Sequence, residues 1–211
     1  MSHLYLKVIV PLAVLLPLLF GLIVKKNWDA TARIIFIYLL VSGVVNEVAT
    51  VMSQHRINNL PLLHIYTVFE FISFSFFYKK VFDEGRKTNR FLILQISFVI
   101  LCILNAVFLQ SIYSFNSYTL ALKALILMLL AVNYFAKLFT NIGETKIIMM
   151  PRFWFNSGMF LYFSGSFIFY IFSNFTLYIS RHSFDLILYL HAGFVLVMYM
   201  LFTIGFIKCK K

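Results

Sequence analysis

Seven apolar stretches divide this chain, and the gaps between them alternate between cation-rich and cation-poor. The stretches run approximately over Leu4–Val24, Ala32–Ser53, Leu60–Tyr78, Phe91–Gln110, Tyr118–Thr140, Phe153–Asn174 and Phe184–Ile207. Each is close to the roughly 20 residues an α-helix needs to cross a hydrocarbon core. Unpaired backbone groups are not tolerated in lipid, so a spanning segment is either helical or part of a closed barrel. Runs this long, without period-2 alternation, select helices. The expected fold is an all-α integral membrane protein with seven transmembrane helices, forming one domain over residues 1–211. The first stretch lacks a basic n-region and a small-residue cleavage site, so it reads as a span and not as a secretory signal.

Composition excludes the main alternatives. The chain is 62% apolar and 12% charged, against about 25% charged residues in an ordinary soluble domain. That leaves too little polar surface to coat a water-soluble core. The formal charge of +11 would suit nucleic acid only if the cations shared one face. Here they are parcelled out beside hydrophobic segments.

The same cations set an expected orientation. Lys25, Lys26, Arg33, Lys79, Lys80, Arg86, Lys87, Arg90, Lys137, Lys146, Arg152, Lys208, Lys210 and Lys211 fall in the first, third and fifth gaps and at the C-terminus. The other gaps and spans hold only Lys7, Arg56, Lys123 and Arg181. Short basic loops stay in the cytoplasm, which predicts an outer N-terminus and a cytoplasmic C-terminus. Trp28 and Trp154 then lie at the cytoplasmic boundary. The expected location is a bacterial cytoplasmic (inner) membrane. The partners expected are the lipid bilayer, a small-molecule or lipid ligand, and a separate membrane protein if the chain signals, since every loop is short.

On this orientation all five histidines (His3, His55, His64, His182 and His191) fall in the outer half or beyond. Counting about 1.5 Å per residue, Glu47, His64, Asn105, Lys123 and His191 lie roughly 5–12 Å below the outer boundary, with Glu70 deeper. Ionisable groups at such depth face the bundle interior and find partners. Five helices contributing at similar depth predict one polar cavity opening outward, with His55 and His182 at its mouth. The bland alternative is a set of separate helix–helix hydrogen bonds, with Lys123 snorkelling to the surface.

His64 and His191 admit three chemistries. Imidazoles on two helices can bind a metal with Glu47 or Asp185 as oxygen ligands. They can ligate haem from two sides, or they can titrate near neutral pH. No H-E-x-x-H, H-x-x-x-H or Cys/His cluster accompanies them, so no cofactor is predicted and a metal or haem stays an alternative. Glu47 shares the depth of Lys123, which predicts an ion pair between them. Glu70, with Tyr66 and Thr67 one turn earlier, is either a protonatable group of a carrier or a neutral carboxylic acid bonded to a neighbouring helix.

An internal repeat is also legible. Ser53-x-His55 with His64 nine positions on recurs as Ser180-x-His182 with His191, shifted by 127 residues. That pattern predicts three helices, a linker helix and three more, as in parallel-repeat carriers. Ser157, Gly158, Ser164 and Gly165 give the sixth span a small-residue stripe for close helix approach. Pro61 and Pro151 fall at helix starts, whereas Pro11 and Pro17 should bend the first span.

Seven-helix retinal proteins need a lysine in the last helix, and Leu188–Leu201 has none. Seven-helix metal hydrolases carry an H-x-x-x-H pair there, where His191 stands alone. Sugar and cystine carriers are similar in architecture, but their Pro-Gln dipeptide is missing. Two functions follow as expectations. The first is binding or transport of a small solute or lipid headgroup, with proton coupling through Glu70. The second is a metal-dependent membrane enzyme acting through His64, His191 and Glu47. A receptor or accessory subunit is the third.

Overall fold

A computed structural model describes residues 5–83, 88–141, 147–173 and 181–210, apart from the side chains of residues 7, 141 and 181–184. The described residues are helical and contain no strand. Six helices are long and apolar enough to cross a membrane, and a shorter apolar helix precedes them. We number them α1 (Val10–Ile23), α2 (Ala30–Gln54), α3 (Leu60–Asp83), α4 (Arg90–Leu109), α5 (Ser117–Asn141), α6 (Pro151–Ser173) and α7 (Arg181–Lys208).

The six long helices match six of the expected spans to within a few residues. The first is shorter than its apolar run because of its prolines. Pro11 offers no N–H to the carbonyl one turn earlier, and the chain before it widens into a π turn, Tyr5–Ile9. Pro17 does the same to Ala13, and the α-helix is interrupted at Val14. Alone, α1 reaches about 21 Å over its 14 residues; with the π turn Tyr5–Ile9 the helical run covers 19 residues, close to the roughly 20 that a hydrocarbon core of about 30 Å requires.

Helix packing makes a circuit. α1 packs on α2, α2 on α3, α3 on α5, α5 on α6, α6 on α7, and α7 back on α1. α2 also touches α6 across the middle. α4 stands outside this ring against α3, and Gln95 Nε2 donates to Ser75 Oγ (2.6 Å) to fix it there. α3 and α5 run in the same direction, since Thr67 meets Asn116 near one end and Lys137 donates to the Val81 carbonyl near the other. α7 and α1 are likewise parallel, because Tyr5 lies against Tyr189 while Trp28 lies against Phe206.

The α6–α7 seam is built by phenylalanines seated over glycines. A Cβ at Gly165 would fall 2.2 Å from the Phe194 ring, and one at Gly158 2.8 Å from Phe202. In the opposite sense, a Cβ at Gly205 would meet Phe155 at 2.5 Å. Gly158 and Gly165 thus do what the expected stripe requires. Ser157 and Ser164 instead bond carbonyls of their own helix.

The cation-rich end is clamped by Asp29. Its carboxylate caps α2, accepting from the Ala32 N–H (2.8 Å) and the Thr31 hydroxyl (2.7 Å), and pairs with Arg152 at the start of α6 (2.9 Å). Burial alone would raise its pKa. The Ala32 and Thr31 hydrogen bonds and the Arg152 charge outweigh burial and hold it below the ordinary value of 3.8. The folded carboxyl therefore binds its proton less readily than the unfolded one. Its contribution is complete above the ordinary carboxylate range and is lost as pH falls through the folded value. Asp29→Ala is expected to lower stability by about 1 kcal/mol at pH 7, the Arg152 pair adding little because both partners are well exposed. Melting curves of the two proteins should converge as pH falls below the ordinary carboxylate range.

Cys209, a free tail thiol in the sequence, is buried against the Gly205 carbonyl, and burial and the nearby Asp29 charge push it up to about 12.

Candidate intramembrane site

The deepest charges in the bundle are a pair. Lys123 on α5 donates to Glu70 Oε2 on α3, and each side chain is only 1% exposed. The other carboxylate oxygen, Oε1, accepts from the Tyr38 hydroxyl of α2 (3.0 Å). The expected Glu47–Lys123 pair is therefore replaced by Glu70–Lys123. Glu70 lies ten residues into α3, about 15 Å from its start, and Lys123 six into α5, about 9 Å. A long ammonium stem leaning along the helix axis covers that difference.

Helix rotation explains why the other glutamate is not involved. Tyr38 is buried and Glu47 is exposed on the same helix. Nine residues make about two and a half turns, so the two project from opposite faces.

The ion pair forms part of the wall of a cavity of about 210 Å³. Glu70, Lys123, Asn116, Tyr162, Tyr170 and His191 are among its lining residues. The Asn116 amide donates to Thr67 Oγ1 (3.0 Å), which in turn bonds the Leu63 carbonyl. His191 stacks on Phe169 with ring centres 4.6 Å apart, and its Nδ1 lies 3.4 Å from Ser166 Oγ. The Lys123 ammonium sits 5.8 Å from the Tyr170 ring centre, within cation–π range.

A second cavity of about 230 Å³ lies beside the first, lined by Tyr38, Ser42, Asn46 and Tyr199 among others. Leu63, Tyr66 and Tyr162 line both. Tyr66 donates to Ser42 Oγ (3.0 Å). The hydrogen-bonded chain Tyr38–Glu70–Lys123 thus connects groups lining the tyrosine-rich cavity to groups lining the charged one.

Of the six cavity residues expected from sequence, Glu70, Lys123 and His191 share this cavity. Glu47 is exposed. His64 lines a separate hollow between α3 and α4 and donates Nε2–H to the Ser114 carbonyl (3.0 Å). Asn105 is buried in the π turn Asn105–Leu109, where its amide donates to Gln110 Oε1 (3.3 Å). His55 is exposed at the end of α2, its Nδ1 bonded to the Val51 carbonyl. His182 belongs to the first turn of α7, and its side chain lies outside the described residues, as does all of Ser180.

Among the described residues no three of His, Cys, Asp and Glu converge as metal ligands. His64, His191, Glu47 and Asp185 are not gathered into one site. His64 and His191 line different cavities. The second copy of the Ser-x-His match lies largely outside the described residues.

The residues that sequence reasoning passed over are the tyrosines. Tyr38, Tyr162 and Tyr199 lie well inside their helices, away from the interface where membrane tyrosines collect. That displacement was the available signal. No known protein family, curated protein or solved structure matches the chain.

Proposed function

We propose that this chain is a seven-span membrane protein, N-terminus outside, that binds and carries a small polar solute through a cavity opening to the outer side. One observation carries the reading: a fully buried Glu–Lys pair forms part of a cavity wall. Isolated charges are costly inside a bundle and mark ligand or ion pathways. A purely structural pair would be packed on all sides, whereas this one borders open volume. The volume, about 210 Å³, falls below the roughly 300 Å³ at which drug-sized sites begin, and favours a small solute over a lipid headgroup. The concentration of cations at the opposite end supports the orientation. The ring of six helices with α4 outside it supports a three-one-three plan. Among the described residues no constellation supports the metal-dependent enzyme.

Cysteine accessibility tests the cavity without knowledge of its solute. In a background with Cys102 and Cys209 changed to Ser, Leu63→Cys and Leu120→Cys line the charged cavity, while Leu127→Cys is sealed in the core. A membrane-impermeant thiol reagent added outside intact cells should label the first two at least tenfold faster than the third. Equal rates, or labelling only from the cytoplasmic side, would remove the proposal.

A further inference from the structure

Resting on that reading, we infer that the solute is a small monoanion held by Lys123, and that one proton enters onto Glu70 with it. The argument is one of charge and of unused bonding capacity. Glu70 has both oxygens engaged, by Tyr38 and by Lys123. An ammonium carries three donors, and the carboxylate of Glu70 takes one of those of Lys123. Two donors of the Lys123 ammonium are thus left for a group in the cavity.

In the resting state the two charges cancel. A monoanion entering alone would leave one uncompensated negative charge in a buried, low-dielectric site, which is strongly unfavourable. A cation would have to displace Lys123 and leave two positive charges beside one carboxylate. A zwitterion would set a second ammonium beside Lys123 against one negative charge of the protein, since Glu70 is the only carboxylate among the described residues that line the cavity. A monoanion plus one proton restores neutrality: the proton goes to Glu70 Oε2, the Lys123–Glu70 bond opens, and the ammonium turns its donors to the anion.

The groups facing this exchange come from every helix around it. Glu70 is faced by Tyr38 of α2, Tyr66 of its own helix, Lys123 of α5, Tyr162 and Tyr170 of α6, and Tyr199 of α7. Lys123 is faced in addition by Cys102 of α4 and His191 of α7. Glu70 is the one carboxyl among them.

Methanesulfonate is the probe, because it stays anionic across the pH range and any pH dependence then belongs to the protein. Binding is read from thermal shift of the purified protein, with gluconate, a much bulkier monoanion, balancing ionic strength. One-proton linkage predicts that the half-saturating concentration for the wild type falls about tenfold per pH unit lowered between pH 8 and 6. Glu70→Gln supplies the neutral partner permanently, so its half-saturating concentration should not vary with pH. Glu70→Gln/Lys123→Gln should show no difference between the two anions. A wild-type response that is flat with pH, or none at all, overturns the inference even if Glu70→Gln does not fold. Labelling of Leu63→Cys from outside would meanwhile leave the cavity proposal standing.

Discussion

Lys123→Met is expected to lower the unfolding free energy by about 3–5 kcal/mol, among the largest effects of any single substitution in this chain. The magnitude is that of removing one partner of a buried ion pair and stranding the other. Glu70 keeps its Tyr38 hydrogen bond, yet a lone carboxylate surrounded by Phe71, Phe74 and the tyrosines has no counter-charge. Adding Glu70→Met should recover most of the loss, since two packed apolar side chains replace a buried pair at little cost. Denaturant titration in detergent micelles, followed by tryptophan fluorescence of Trp28 and Trp154, measures all three variants. If Lys123→Met melts within about 0.5 kcal/mol of the wild type, the pair is solvated and the buried geometry is wrong. Recovery in the double variant without anion binding would separate stability from function, which no single substitution can do.

Gly165→Val should be nearly as damaging, at about 3 kcal/mol, and for a reason unconnected with charge. The first added carbon would lie 2.2–2.5 Å from three atoms of the Phe194 ring, including the ring carbon attached to the rest of that side chain. Rotating the far edge of the ring away cannot relieve a clash at its base, so α6 and α7 must separate. Overpacking of this kind costs about 1–3 kcal/mol in ordinary cores. The damage here should reach the top of that range, because the seam is long and Gly158 and Gly205 seat phenylalanines in the same way. Combining Gly165→Val with Phe194→Ala should be less destabilising than the sum of the two single changes by more than 1 kcal/mol. An additive result would mean that the two side chains do not meet.

The helices were legible because lipid imposes a length, and that length is written directly in runs of apolar residues. α2 to α7 begin and end where cations, Asn, Pro and Asp interrupt those runs. The first helix was not legible in the same way: its apolar run counts as a span, while Pro11 and Pro17 break the hydrogen-bond ladder within it. Depth was legible too, since residue number converts to distance along a helix at a fixed rate. Rotation about the helix axis was not. A segment that is apolar on every side carries no strong signal of which side turns inward. That is why Glu47 and Glu70 could both be offered to Lys123, and why only Glu70, on the face that also carries Thr67, meets it. His64 fails for the same reason, since six residues before Glu70 is about one and two-thirds turns, roughly 120° round the helix. Placing Asn105 required the π turn at the end of α4, a local widening with no warning in Asn105–Leu109 itself.

The parallel contact of α1 with α7 has a consequence for engineering the molecule. The two helices are side by side and parallel, so Tyr5, against Tyr189, and Lys208 lie toward opposite ends of the bundle, the 19 residue steps from Tyr189 to Lys208 covering about 29 Å. Circular permutation, which usually exploits neighbouring termini, would here require a linker that runs much of the length of the bundle. An added apolar helix supplies such a linker and makes the ring covalently continuous.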